Sequence, residues 1–228
     1  MRVLAVGGGS GGLSGNFGGG GSGYVRSGEF GVTPGQSVPV TVGSGGVGST
    51  YKENNDSQDS KAGGTSSFGA FLSAAGGEGR SGLGNYEGAA GGSGGGEGYG
   101  CSQGTSGAGG TNGSDGTENT DHDCVLGVGF GQGAFPLHKL FVRNRLTPGA
   151  GGRGVNTTSP YFGGGGGGGG ILLNGSGPNA KAGTSPIAGG FGGNGFGAGG
   201  GAGGHLEPQP YPYFAGGRGA DGLIYIEW

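Results

Sequence analysis

The segment NGSDGTENTDHD, residues 112–123, gathers Asp115, Glu118, Asp121 and Asp123 around His122. Closely spaced carboxylates can ligate calcium. This spacing does not follow the EF-hand loop, so the segment reads first as a solvated acidic loop, with Asp115, Asp121 and Asp123 as its metal candidates. Cys101 and Cys124 flank it. A disulfide between them would contribute about 3 kcal/mol in a chain-entropy account; two independent thiols are the other reading. His122, His138 and His205 are widely separated beside different neighbours, and no Ser-His-Asp or Cys-His arrangement follows from spacing. G-x-G-x-x-G recurs, but with 74 glycines in 228 residues it carries no information, and no Gly-Lys-Ser/Thr follows it. Residues 216–224, GGRGADGLI, match the calcium-binding nonapeptide pattern once. Such repeats bind metal between successive copies, so a single copy reads as a turn before a strand. The expectation is a protein without catalysis and without a cofactor.

Three stretches poor in glycine are better candidates for recognition. STYKENNDSQDSK (49–61) is polar around Tyr51 and Lys52, and HLEPQPYPYF (205–214) sets His205, Tyr211, Tyr213 and Phe214 among prolines. Proline stiffens a loop and tyrosine gives contact area at low entropic cost, so these residues could bind a receptor, the aromatic ones by stacking on sugar faces. They could equally cap the ends of glycine segments. FPLHKLFVRNR (135–145) reads as a buried strand through Leu137, Leu140 and Val142, or as a surface packed on another subunit. Asn55, Asn112, Asn156 and Asn174 each begin an N-x-S/T pattern, which marks glycan sites in a secreted protein and also arises by chance in such a composition.

The elements that would position these residues are unusual. Glycine is near one third, but without strict three-residue spacing and with only 10 prolines, which excludes collagen. Charged residues are 11% and the net charge is −3, which disfavours an electrostatic nucleic-acid binder. The 8 Tyr, 11 Phe and 1 Trp are more than a solvating tail needs. No apolar run has membrane-spanning length, and the apolar burst in MRVLAVGGG is too short for a signal peptide.

Short strand-like bursts recur: 2–6, 23–32, 65–77, 124–131, 138–146 and 221–228. TPGQ (33–36) predicts a turn. SVPVTVG (37–43) alternates Val38, Val40 and Val42 with polar residues, which predicts a half-buried strand. In 221–228, Leu223, Tyr225 and Glu227 should face one way and Ile224, Ile226 and Trp228 the other. No segment keeps helical periodicity beyond a turn. Glycine-rich stretches lie between: 7–23, 43–48, 88–98, 163–170, 189–204 and 215–219. Bulky residues bracket them rather than interrupt them. Tyr161 and Phe162 enter the octaglycine tract 163–170 and Ile171, Leu172 and Leu173 leave it. This favours packed polyproline-II-type helices over floppy linkers.

VLAVGGGSGG, then GYVRSGEFGVTPGQSVPVTVGSGG, then GGTSSFGAFLSAAGGEG, with GGRGADGLIYIEW at the close, resemble the glycine-rich domains of bacteriophage tail-fibre and other virion proteins. Residues 2–92 and about 185–228 carry the resemblance; 99–162 carry little of it. Similar modules occur in the ectodomain of anaplastic lymphoma kinase, and polyglycine-helix bundles in T-even-type phage adhesins, whose tip loops read the bacterial surface. The resemblance implies an all-β fold: a small β-sheet or jelly-roll-like framework with its first and last strands paired, carrying a bundle of polyglycine helices. The chain is then one domain, 1–228, with inserts at 49–61, 99–162 and 205–214. The expected role is a virion surface or tail-fibre protein contacting other fibre subunits and a host-surface glycan or protein, as a homo-oligomer or part of a larger assembly, without nucleic acid or membrane insertion. The alternative is an extracellular filament or matrix protein, glycosylated at the sequons; an ice-binding bundle fits less well because of the long polar inserts. If 163–170 is a structural element, its amides exchange far more slowly than those of an unstructured glycine peptide in a hydrogen–deuterium experiment; random-coil rates would reject the reading.

Overall fold

The computed structural model describes residues 1–15, 17–52, 56–57, 59–80, 88–96, 146–152, 154, 161–184, 189–206 and 214–228. The fold is all-β, and the described residues contain no helix. Strand β1 (Arg2–Val6) lies between β12 (Leu223–Glu227) and β2 (Val25–Glu29), antiparallel to both. The first and last strands therefore pair, with Arg2 opposite Glu227 and Val6 opposite Leu223. Val3, Leu4, Ala5 and Val6 are all fully buried, which is why this central strand reads as a continuous apolar run. Leu4 and Val6 meet Leu146 and Ile171 in the main apolar cluster, and Val25, Leu173, Leu223 and Tyr225 pack around it. Leu223 and Tyr225 thus do share a face. Leu146 and Ile171 come from β8 (Leu146–Pro148) and β10 (Ile171–Leu173), an antiparallel pair.

A second sheet has the order β3 (Val40–Thr41), β6 (Ser66–Phe68), β7 (Leu72–Ala74). The Ser66 hydroxyl ties it to the first sheet by donating to the Val6 carbonyl (2.6 Å). The turn at 33–36 forms as expected: Gly35 has φ +83° and the Gln36 amide donates to Thr33 O. That left-handed conformation is the one a type II turn requires. The valine alternation at 37–43 does not give the expected half-buried strand. Only Val40 and Thr41 pair, on a sheet edge, and Val40 and Val42 are 50% and 52% exposed. Nothing covers the outer side of β3 among the described residues.

From these sheets run glycine-rich rods that hydrogen-bond chiefly to one another. In the 7–14 rod, Gly7, Gly8 and Gly9 donate to Tyr24, Gly64 and Ala220; Ser10, Gly11 and Gly12 then donate to Gly21, Lys61 and Gly217. The same neighbouring rods return at every third residue, each partner three positions earlier. This rod also accepts from three others, through the amides of Gly46, Gly77 and Gly200. It is ringed by the rods 18–24, 60–64, 214–222, 43–49, 75–80 and 197–204. The 197–204 rod is ringed likewise, donating to 163–170, 7–14 and 179–184 and accepting from 18–24, 189–194 and 214–222. In cross-section this is a hexagonal array in which those two rods are central, as is 18–24, which bonds to 7–14, 75–80, 88–92, 93–96, 163–170 and 197–204.

The octaglycine tract is part of the array. Residues 163–170 are all buried; the Gly165 and Gly168 amides donate to Phe17 and Gly20, and those of Gly167 and Gly170 to Phe191 and Asn194. Outer rods carry side chains on their outward row: Ser44 and Val47 in 43–49, Ala75 and Glu78 in 75–80, Arg218 and Asp221 in 214–222 are exposed. At many glycines of the central rods there is no such room. A Cβ on Gly12 would lie 2.2 Å from Gly201 O, and one on Gly200 2.1 Å from Gly217 O. Gly200→Ala should therefore lower stability to chemical denaturation by about 2 kcal/mol or more, the scale of overpacking. Gly31→Ala, where a Cβ meets nothing within 4 Å, should cost nothing; equal losses at both would contradict close rod packing.

Candidate functional site

Rods alternate in direction, so their connections sort to two ends. At one end lie the three sheets β12-β1-β2, β3-β6-β7 and β10-β8, which feed into or receive the rods at residues 7, 24, 43, 64, 75, 149, 170 and 222. At the other end lie the opposite termini of the rods. Its anchors are backbone hydrogen bonds between rod termini: Gly216 to Ser49 O (2.9 Å), Gly15 to Phe214 O (2.9 Å), Phe214 to Gly204 O (3.0 Å), Thr184 to Ala215 O (2.8 Å) and Ser60 to Arg80 O (2.9 Å). Arg80 also donates to Ser60 Oγ through its amide (3.0 Å) and to Gly88 O through Nη2 (2.9 Å). We call this the loop end.

Two short antiparallel strand pairs stand there. Strand β4 (Tyr51–Lys52) pairs with β5 (Asp56–Ser57), Tyr51 opposite Ser57 and Lys52 opposite Asp56. Strand β9 (Tyr161–Phe162) pairs with β11 (His205–Leu206), His205 opposite Phe162. The backbone of Phe214 locks into the lattice at both its N–H and its carbonyl. Stretches 49–61 and 205–214, separated by about 150 residues in sequence, thus leave from adjoining rod termini, as the Gly216–Ser49 bond shows. Tyr211, Tyr213, Asp115, Asp121, Asp123, Cys101 and Cys124 lie outside the described residues, as do Asn55, Asn112 and Asn156. Asn174 occupies a tight turn at the sheet end: Asn174 and Gly175 have φ +55° and +72°, and Leu173 and Ser176 exchange two hydrogen bonds. That is the two-residue hairpin an Asn-Gly pair favours.

The single nonapeptide match has a structural explanation. Asp221 Oδ1 accepts from the Gly45 amide (2.7 Å) and from Arg218 Nη2 (2.7 Å), while Arg218 Nε donates to the Gly45 carbonyl (3.4 Å). The two side chains grip both backbone polar groups of Gly45, substituting for a neighbouring rod. Spacing alone could not reveal this, since the partner is remote in sequence.

At the sheet end an open cleft of about 550 Å³ is lined by Met1, Arg2, Glu29, Tyr225, Ile226, Glu227 and Trp228. The registers align Glu227, Arg2 and Glu29 in one row across the sheet. Tyr225 Oη donates to Glu227 Oε1 (2.8 Å) and Arg2 Nε lies 3.9 Å from Glu29 Oε2. A shallower groove joins Tyr24, Arg26, Ser73 and Ala75. Burial, and secondarily the charge of Glu78, raise the pKa of the Tyr24 phenol above its ordinary value.

A glycine-rich domain family model matches residues 1–228, the whole chain. The chain belongs to that family. Searches of characterised proteins and of solved structures returned no match. Among the described residues of this glycine-rich domain, no helix is long and apolar enough to cross a membrane.

The Arg218–Asp221 grip gives a test. Gly45 is buried, so Asp221→Ala strands its amide and should cost about 1–3 kcal/mol. Asp221→Asn keeps an acceptor and should cost less. No loss from either substitution in denaturant titrations would show that the grip contributes nothing.

Proposed function

We propose that this glycine-rich domain is a display module of a virion surface, a tail-fibre or comparable structural protein that is not an enzyme. Its rods are polyglycine helices of the polyproline-II type, and its loop end binds a host-surface glycan or protein. Neighbouring virion or fibre subunits contact the rest. Support for the helices comes from hydrogen-bond partners that recur at every third residue, the periodicity of that conformation. The observation that carries the display role is the sorting of connections. The two stretches with candidate contact residues rise from adjoining rods, opposite the end where β1 and β12 pair. A backbone lattice is indifferent to the sequence of its connections, so the loop end can vary while the scaffold stays fixed.

Whole-cell and glycan-array binding by the full chain tests this. Replacing Tyr211, Tyr213 and Phe214 together by alanine should weaken binding by at least about tenfold, the scale of lost aromatic anchors. Val40→Ser, at the sheet end, should leave it unchanged. Binding that survives the triple change, or that falls equally with Val40→Ser, would remove the loop end as the contact surface.

A further inference from the structure

Strand β3 is bonded on one side alone, to β6. The Gly69 amide donates to the Pro39 carbonyl (2.8 Å), and Val40 stands opposite Phe68. In an antiparallel pair only alternate residues bond across. Pro39 and Thr41 therefore face β6, and the amides and carbonyls of Val38, Val40 and Val42 face away from it. Those groups have no partner among the described residues. Natural sheet edges are blunted by charge, by a bulge, or by a proline whose missing N–H lies on the open side. Here Pro39 turns its missing N–H inward, and residues 30–51 carry no charged side chain. The valine side chains share the face of Ser66 and Phe68, which are buried, but they overhang it: Val40 is 50% and Val42 52% exposed.

We propose that β3 pairs with the β3 strand of a second copy of this chain, antiparallel about a two-fold axis at Val40. In that register Val40 meets its own counterpart and Val38 meets the other copy's Val42. Each facing pair exchanges both N–H···O bonds, so the open backbone groups of the two edges satisfy one another. Two features fit this edge to its own copy. The valines are symmetric about Val40, so the strand read backwards presents the same row, as an isologous contact requires. The segment is also uncharged, so a copy meets no like charge, while an acidic or basic strand would find no opposite charge to attract it. The pairing continues the Phe68 face across both molecules and covers valine with valine. Strand β3 leads into the rod that begins at residue 43, so an antiparallel copy sends its rods the opposite way. The two loop ends then point apart, and a single surface engages only one of them.

Sedimentation velocity of the full chain at concentrations up to about 1 mM tests this, a range suited to a contact this short. Expected is a reversible dimer. Val40→Lys and Val40→Glu each set like charges face to face across the axis, and each should weaken the dimer by at least about tenfold. An equimolar mixture of the two should dimerise again, because a lysine then faces a glutamate. Val40 is half exposed, so both variants should unfold at the same denaturant concentration as the unsubstituted chain. Hydrogen exchange gives a readout that needs no variant: the Val40 and Val42 amides should exchange more slowly at high than at low protein concentration. A monomer throughout, a dimer that both charged variants leave intact, or a mixture no better than either variant alone overturns the proposal. So do equal exchange rates at concentrations where a dimer forms, which would place the contact elsewhere.

Discussion

A peptide amide taken out of water must find an acceptor, or it costs about 1–3 kcal/mol, and glycine has nothing but its peptide groups to offer. Here the acceptor lies on another rod, and on a different one for each of three successive residues. No rod can therefore satisfy its own polar groups, and each central one needs its whole ring of neighbours. Stability becomes a property of the array. The requirement for close approach explains the composition, since neighbouring carbonyls stand about 2 Å from where a side chain would begin on many glycines. Serine is admitted where its hydroxyl can replace a carbonyl. Ser10 Oγ accepts from Gly21, Ser22 Oγ from Ser93, and Ser66 Oγ from Gly43.

Conventional apolar packing has a narrower part. Leu4, Val6, Leu146 and Ile171 gather at the sheet end, where strands align the rod starts. Among the rods a second apolar cluster holds only the small side chains of Ala180, Ala198 and Ala220. The sheets set direction and spacing, and the rods carry that order to the loop end without needing large side chains. A connection at the loop end consequently begins and finishes on fixed backbone, as Gly204 and Phe214 do on either side of 205–213.

Much of the scaffold was legible in the sequence. Residues 2–6 form β1 at the expected bounds, β12 lies within 221–228, β6 and β7 lie within 65–77, and bulky brackets do mark the octaglycine rod as buried. The valines of 37–43 misled because period-two alternation predicts a strand without saying whether its apolar side is covered; Val40 and Val42 lie along a sheet edge. Rods 60–64, 75–80 and 179–184 escaped notice because they are not glycine runs. Residues such as Lys61, Glu78 and Lys181 sit on their outer side, where side chains are tolerated. The candidate site was legible only as separate stretches: nothing local in 49–61 or 205–214 indicates that Ser49 and Gly216 share a hydrogen bond.

The outward rows have one more effect. A honeycomb of naked main chain has no inherent reason to stop widening, because its rim resembles its interior. In this protein the rim is made chemically unlike the bulk: Ser44, Val47, Glu78, Arg218 and Asp221 project from the perimeter. These side chains stand where a further rod would have to lie, and the Arg218–Asp221 pair takes the place of one at Gly45.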